Sequence, residues 1–339
     1  MKLTRSEDIM LLTHSSIQSF KSCRRRYEYR YVRGLEQRDR PLYFDFGTAM
    51  HLALAKHYMG DKPDIVTAYV DQYFEDNAPS MDDGERLLKW AEAKDLVGGI
   101  FQGYIQRYPS EPFKPLVIEK EFELPILDVR GEKYNGIKLA GKVDMVVEEN
   151  GMWIVEHKTS SAVNAAYKRK LTLDAQSMIY LEAMERVYEK RFNGVIYNVM
   201  AKTVPEMPGK LKSGALSQAK AQNTTPELYR KAIAEIGAPE ADYAEILAYL
   251  DANRKEYFYR EYLTFSDEER QEWRRELWQI AADIEHAGEI GSFYRNTASC
   301  VGFGTCPFLD VCTAPDKEFV IENSYIKKAA HSELDEAIA

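Results

Sequence analysis

From Val117 to Ile126 apolar and polar side chains alternate, the period-two pattern of a half-exposed strand. Residues 137–148, IKLAGKVDMVVE, read as a second strand bent at Gly141, and residues 152–157, MWIVEH, as a third. Glu149-Asn150-Gly151 between them is a turn signal, because Asn-Gly tolerates the positive φ of a tight hairpin. Helical spacing predicts helices over 15–32, opened by Ser15 or Ser16, over 46–59, over 85–107 and over 173–189. A further strand is predicted at 195–201, VIYNVMA. Residues 202–226, with three prolines and two glycines among polar residues, read as a mobile loop, and residues 226–290 as helical. Helices, a three-strand meander, a helix, a strand and more helices predict an α/β fold. A small mixed central sheet is flanked by helices, with a helical C-terminal extension and a Cys-rich clasp, and the chain is not doubly wound. The same pattern divides the chain into a helical region (1–110), a core (111–201), a basic loop (202–225), an acidic helical region (226–291) and a Cys-rich tail (292–339). The end of that tail, HSELDEAIA, is expected to fray.

Charge at the end of an apolar strand is the first chemical signal. Glu156-His157-Lys158 follows the run MWIV, and residues i and i+2 of a strand share a face, so Glu156 and Lys158 point the same way. The hairpin makes the strand carrying Asp144 an antiparallel neighbour. If Asp144 points to that same face, two carboxylates and an ammonium converge. Hard divalent cations such as Mg²⁺ take such oxygen ligands together with water and phosphate. An ion of this kind polarises a phosphodiester and acidifies a bound water, and a lysine beside it stabilises developing charge. His51, on the helix FGTAMHLALAKHY, could add a nitrogen ligand, although a lone histidine at such a place is more often a satisfied core residue. Glu119, Glu121 and Glu123 alternate along their strand and read as a solvated face.

The 339 residues, 45% hydrophobic and 29% charged, suit a globular chain with a substantial core and exclude a disordered, collagenous or disulfide-dense one. The N-terminus shows no apolar secretory stretch and no run approaches membrane-spanning length, so a cytoplasmic location and no membrane partner are expected. A reducing compartment argues against disulfides among Cys23, Cys300, Cys306 and Cys312. One early cysteine joined by three within thirteen residues suggests a metal or cluster site. Four thiolates can hold a [4Fe–4S] cluster or Zn²⁺, though zinc sites more often use paired knuckles. The loop VGFGT between Cys300 and Cys306 could wrap such a group.

In this order the motifs resemble the PD-(D/E)XK nuclease superfamily, and in particular its RecB-like exonuclease branch. That branch includes the CRISPR-associated spacer-processing nucleases and the AddB nuclease domain. The matching residues are Gly141-x-x-Asp144, the hairpin, and Glu156-x-Lys158-Thr159. The opening Ser-x-x-x-x-Phe20-x-x-Cys23 with Tyr27 and Tyr31, the Gly47-Thr48-x-x-His51 motif, Gln176-x-x-x-Tyr180 and the cysteine layout also agree. The resemblance implies a restriction-endonuclease-like core. His51, Asp144, Glu156 and the His157 backbone carbonyl would hold Mg²⁺ or Mn²⁺. Lys158 would be the catalytic lysine beside Asp144 and Glu156, Gln176 and Tyr180 would position substrate, and Cys23, Cys300, Cys306 and Cys312 would hold an iron–sulfur cluster. It implies hydrolysis of DNA, single-stranded or at ends, in repair, recombination or phage DNA processing, within a bacterial or phage-infected cell. Two departures stand out: His157 occupies the variable place before Lys158, and the late cysteines are spaced Cys-x5-Cys-x5-Cys rather than Cys-x2-Cys-x5-Cys.

A net charge of −9, taken alone, argues against nucleic acid, but the charge is uneven. Residues 226–290 carry sixteen acidic against eight basic side chains. Residues 21–40, 158–170 and 202–220 are each net basic. They offer Arg24, Arg25, Lys168, Arg169, Lys170, Lys210 and Lys212 to phosphates, with Tyr27 beside them for stacking. No Gly-x4-Gly-Lys-Ser/Thr loop is found, so any unwinding must come from a helicase or recombination partner. Two other readings stay open on residues alone: a non-catalytic DNA- or partner-binding module that kept the fold, and a zinc-containing interaction protein.

Overall fold

The computed structural model describes residues 10–38, 42–80, 83–128, 130–301 and 304–335. The expectations for the extreme N-terminus, for Gly302 and Phe303 of the VGFGT loop and for the last four residues lie outside these.

In chain order the elements begin with β1 (Met10–Leu12), α1 (His14–Ser22), α2 (Arg24–Tyr27) with a π-helical turn over Glu28–Val32, and β2 (Leu35–Gln37). Three long helices follow, α3 (Leu42–Met59), α4 (Pro63–Asp76) and α5 (Gly84–Arg107). The core comprises β3 (Lys114–Leu127), β4 (Lys133–Glu148), β5 (Met152–Ser160), α6 (Ala165–Leu171), α7 (Ala175–Tyr188) and β6 (Phe192–Ala201). Beyond it lie α8 (Pro226–Ile236), α9 (Ala244–Ala252), β7 (Phe258–Leu263), α10 (Asp267–Glu289), α11 (Leu309–Thr313), α12 (Lys317–Ser324), β8 (Tyr325–Lys327) and α13 (Ser332–Asp335). The main sheet runs β1-β4-β5-β6-β7, with β3 on the other edge of β4. It is mixed: β1·β4 and β5·β6 are parallel, whereas β3·β4, β4·β5 and β6·β7 are antiparallel. The chain is therefore α/β with a mixed central sheet flanked by helices, as the residue pattern predicts. Among the described residues no helix is long and apolar enough to cross a membrane.

The hairpin turn forms as expected, with Asn150 at φ 50° and Gly151 at φ 128°. Four predicted elements need correction. The helix over 15–32 breaks at Cys23, which is extended at φ −161°, ψ 115°. The Ser22 carbonyl freed by that break accepts hydrogen bonds from Asn296 Nδ2 at 2.8 Å and Ser299 Oγ at 3.0 Å. The partners that make the break stable are thus contributed from the far end of the chain. The helix over 173–189 starts at Ala175, where Asp174 accepts the Gln176 N–H, and a separate α6 precedes it. The region 226–290 is not wholly helical, because FYREYL inserts as β7 beside β6. The segment 202–225 is tied down in its middle: Leu216 is buried among Tyr229, Ile233 and Tyr243 of the following helical layer.

Two apolar layers sandwich the sheet. α7 and α10 cover one face, burying Ile179, Leu181, Met184, Leu277 and Ala281 against Val146, Ile154, Val195 and Val199. On the other face Met145, Val147, Val155 and Ile196 pack together with Tyr58 of α3. Along β4 the faces change step at one place. Val143 lies on the α7 side, yet Met145, two residues on, lies on the α3 side. Strict alternation would put both on one side. The slip falls on Asp144, and opposite it in β3 Glu119 has φ 53°, a left-handed backbone that a non-glycine residue adopts at a cost of about 1–3 kcal/mol.

Candidate active site

The slip in alternation decides where Asp144 goes. β4 and β5 pair only from Met145↔Val155 to Glu148↔Met152, and beyond that point the two strands part. Asp144 turns its side chain into the gap and accepts the His157 backbone N–H on Oδ2 at 2.6 Å. A carboxylate oxygen replaces the backbone partner that β4 no longer offers. On Oδ1 it meets Nδ1 of His51, from α3, at 3.1 Å. Whether Asp144 shares the sheet face of Glu156 and Lys158 is open on residues alone, and it sits at the edge between the faces, where β4 and β5 part.

Glu156 and Lys158 do share a face, the α7 side. The Lys158 ammonium donates to Glu156 Oε1 at 2.7 Å and to Gln176 Oε1 at 2.5 Å, and Gln176 Nε2 donates to the Tyr180 hydroxyl at 2.7 Å. The predicted Gln176 and Tyr180, one helical turn apart on α7, are thus connected to the lysine. Glu156 is 3% exposed, and its Oε2 has no hydrogen-bond partner among the described residues. An unpartnered buried carboxylate oxygen is costly unless something else satisfies it.

Glu119 is the site residue that the sequence reading missed. It is not on a solvated face: ligand-type atoms of His51, Glu119 and Asp144 lie within 4.8 Å of one another. Lys142 Nζ holds Glu119 Oε2 at 3.1 Å. No simple signal marked it, because a carboxylate in an alternating run reads as exposed unless the left-handed turn at that residue is known.

The charges perturb one another. Burial alone would lower the His51 imidazole, but Asp144, with help from Glu156 and Glu119, carries it up to about 9. Burial would raise the Asp144 carboxyl, yet His51 and the His157 N–H hold it well below the usual range. Glu156 is raised, by burial first and by Asp144 second, with Lys158 opposing. Glu119 is raised by burial and Asp144 against the pull of Lys142. Burial works against the Lys158 ammonium, and Glu156 and Asp174 more than restore it. The cluster therefore concentrates negative charge with protons still bound to it at neutral pH.

His157 faces the other way. It is 3% exposed and stacks on Tyr58, with ring planes 10° apart and centroids 5.8 Å apart. Its Nδ1 accepts from Asn198 Nδ2 at 2.9 Å, and burial pushes the imidazole down to about 3, so it is neutral. Asn198 Nδ2 also donates to the Tyr104 hydroxyl at 2.8 Å, and Asn198 Oδ1 accepts from Arg260 Nε at 3.2 Å. Arg260 in turn grips Glu111 through two bonds of 2.5 and 2.7 Å. This network behind the sheet fixes β5 where His157 N–H meets Asp144.

The four cysteines are half-buried free thiols near the seam between the chain's two ends. Asn296 N–H points at Cys23 Sγ at 3.3 Å, and Cys306 N–H bonds the Cys300 carbonyl at 2.8 Å. Burial raises the Cys306 thiol, and neighbouring Cys23 and Cys300 add to the rise. Cys312 lies by Tyr29, whose phenol it helps to raise after burial. The paired β2 and β8, with Tyr29, Leu35, Phe308, Val311 and Ile321 packed beneath, close the same seam.

The expected DNA-contacting residues divide. Tyr27 is 4% exposed, packed against Phe20, Tyr31 and Phe293, and is a core side chain with no surface for stacking. Its place inward follows from the break at Cys23, which re-aims the helix that carries it. Arg24 lies over Phe20 and Tyr294 and pairs with Asp283 at 3.2 Å, and Arg25 pairs with Glu28 at 3.0 Å. Lys168 pairs with Glu256 and sits 3.8 Å over the Tyr259 ring. Arg169, Lys170, Lys210 and Lys212 are exposed.

A family model described as the PD-(D/E)XK nuclease superfamily matches residues 11–313. The chain is also similar to a crystal structure of an Eubacterium rectale protein provisionally designated an exonuclease. The identity is 13% and the TM-score 0.32, over 79% of this chain and 92% of that one. A search of curated proteins finds no match. The mixed sheet flanked by helices is consistent with the restriction-endonuclease-like architecture of that superfamily.

Proposed function

The chain belongs to the PD-(D/E)XK nuclease superfamily, and from that premise we propose that it is a divalent-metal-dependent deoxyribonuclease of the RecB-like branch. It acts in the cytoplasm, in DNA repair, recombination or phage DNA processing. The observation that carries the reading is the unpartnered, buried Oε2 of Glu156 next to the His51–Glu119–Asp144 cluster. Three oxygen-bearing carboxylates and one imidazole are a donor set suited to Mg²⁺ or Mn²⁺. His51, Glu119, Asp144 and Glu156 would hold the ion, with the His157 carbonyl as a further ligand. Bound there, the ion supplies Lewis-acid polarisation of the scissile phosphate and an acidified water. Lys158 has two of its three N–H bonds occupied by Glu156 and Gln176, and the third is available to a phosphate oxygen or the attacking water. Gln176 and Tyr180 hold that ammonium in place. Labelled single- and double-stranded DNA incubated with Mg²⁺ or Mn²⁺ tests the reading. Digestion that Asp144→Ala abolishes is expected, and no digestion with any divalent ion would overturn it.

Protonation gives a second test. His51 is protonated in the metal-free chain, so binding an ion there displaces a proton. Mn²⁺ affinity is expected to rise with pH, more steeply than tenfold per unit near neutrality where both Glu156 and His51 give up a proton and about tenfold per unit from about pH 8 to about pH 9 where His51 alone does, and Glu119→Gln to lower it at least about tenfold. A flat profile between about pH 8 and about pH 9 would remove His51 from the ligand set. Metal-free stability has the opposite slope. The His51 value is raised above its unfolded one of 6.5, so its contribution is complete below about pH 6.5 and is lost as pH rises through about 9.

Four cysteine thiols from the two ends of the chain are soft donors, and we propose that they hold a [4Fe–4S] cluster with a structural role, with Zn²⁺ the alternative. Cys306→Ala is expected to lose visible absorbance and iron and to melt at lower temperature. Stoichiometric zinc without iron in anaerobically purified protein would replace the cluster with a zinc site.

A further inference from the structure

Two lysines flank the carboxylate cluster from opposite sides of the sheet. Lys158 stands on the α7 face and donates to Glu156 at 2.7 Å. Lys142, two residues before Asp144, stands on the other. Ile137, Leu139 and Val143 all pack in the α7-side core, so by alternation Lys142 points to the α3 side, just before the strand changes step. Gly141 agrees: a Cβ there would come within 2.7 Å of the Phe122 ring, which belongs to the α7-side core. On the α3 side Lys142 Nζ meets Glu119 Oε2 at 3.1 Å, across the diagonal between β4 and β3. Both side chains are mostly buried, at 16% and 14% exposure, where a charge acts more strongly than in water. The left-handed backbone of Glu119, φ 53°, is the strain that β3 carries to bring its carboxylate here. His51 comes to the same side from α3, and ligand-type atoms of His51, Glu119 and Asp144 lie within 4.8 Å of one another.

The result is a carboxylate–ammonium pair on each side of Asp144, which itself lies at the edge between the faces. In hydrolysis of a phosphodiester the attacking and departing oxygens lie in line, on opposite sides of phosphorus. A phosphodiester seated at the Asp144 edge therefore has an ammonium on each side of it. We propose that Lys142 is a second catalytic lysine that stabilises the departing oxygen, with Lys158 at the attacking water. The water oxygen forms the new P–O bond and releases a proton to solvent. The old P–O bond breaks with its electron pair on the departing oxygen, which takes a proton from solvent once free. Lys142 keeps its own proton throughout and contributes charge and a hydrogen bond where negative charge develops. The role deepens the nuclease reading and rests on it.

Sulfur in place of the departing oxygen makes that help unnecessary, because a thiolate is a much weaker base than an alkoxide. Single-turnover cleavage with Mn²⁺ is compared on two oligonucleotides. One is natural, and the other carries a bridging sulfur at the linkage that wild type cleaves first, on the 3′ or 5′ side as the wild-type products dictate. Lys142→Gln keeps a donor for Glu119 and removes the charge. It is expected to slow the natural strand about 10²–10³-fold and the sulfur strand less than about threefold, which raises the sulfur-to-oxygen rate ratio at least about thirtyfold. Lys158→Met is expected to slow both strands and to leave the ratio near the wild-type one. The ratio is read within one variant, so a loss of folded or metal-loaded protein cancels from it. Should the stranded Glu119 charge unfold Lys142→Gln, the ratio in Glu119→Gln is compared with that in the double variant Glu119→Gln, Lys142→Gln. Mn²⁺ affinity, read by EPR without DNA, is expected to change less than about threefold in Lys142→Gln. An unchanged ratio in the variants lacking Lys142 would overturn the proposal, and a fall in Mn²⁺ affinity of about tenfold beside it would make Lys142 a support for Glu119 instead. A ratio that rises in Lys158→Met and not in Lys142→Gln would overturn it too, with the two lysines' roles exchanged. Wild type that cleaves neither strand would sink the nuclease reading and the proposal with it, whereas wild-type cleavage with an unchanged ratio sinks the proposal alone.

Discussion

A chain carrying Lys158→Met is expected to fold and to bind DNA, yet to hydrolyse it about 10²–10³-fold more slowly. Among the described residues the ammonium is the one donor to the Glu156 carboxylate, and methionine keeps its length without its charge. Removing it leaves Glu156 Oε1 without a partner, a loss that would cost about 1–3 kcal/mol if the carboxylate stayed ionised. Burial and Asp144 already raise Glu156, so the group can take up a proton and keep the cost small. The expected signature is a fall in kcat with KM little changed and a melting temperature close to wild type. Retention of more than about a tenth of the wild-type rate would move the catalytic role to another residue.

The largest effect on stability is expected at Arg260. Its guanidinium is 10% exposed and makes bonds to both Glu111 oxygens, to Tyr104 at 2.9 Å and to Asn198 at 3.2 Å, while lying 3.7 Å over the Tyr108 ring. Arg260→Met leaves the Glu111 carboxylate buried against the Tyr58 hydroxyl alone, and breaking a buried pair from one side costs about 3–5 kcal/mol. Urea unfolding measures the loss. Adding Glu111→Gln removes the stranded charge and is expected to return a good part of it. If the double variant is no more stable than the single, the loss arises from packing on Tyr108 rather than from the charge. Because Asn198 joins this network to His157, the single variant is also expected to weaken metal binding without touching a ligand.

What could be read from residues alone follows from how local each signal is. The hairpin at Asn150-Gly151 is encoded by two adjacent residues, and it delivered the β4–β5 pair and the shared face of Glu156 and Lys158. The i, i+4 pair Gln176 and Tyr180 was legible for the same reason. Asp144 was found as a residue but not as a geometry, because period-two reasoning assumes one unbroken alternation and the strand changes step there. Glu119 was lost to the same assumption. α4 carries its own spacing in Val66, Val70 and Phe74 behind Pro63, so it was present in the pattern and passed over. β7 is different: FYREYL sits in an acidic, helix-rich stretch, and only its place beside β6 makes it a strand. The break at Cys23 depends on Asn296 and Ser299, and no window around residue 23 contains them.

The pairing of β2 with β8 also sets a timetable for folding. Gln37 is paired with Tyr325, and Ser22 with Asn296 and Ser299. During synthesis at about 5–20 residues per second, the first helices wait roughly a quarter of a minute to a minute before those partners leave the ribosome. For that interval Cys23 and the apolar side chains of Tyr29 and Leu35 have nothing to close over them. The nascent N-terminus therefore stays unclosed until the last part of the chain is made, and Cys23 can meet Cys300, Cys306 and Cys312 only at the end of synthesis.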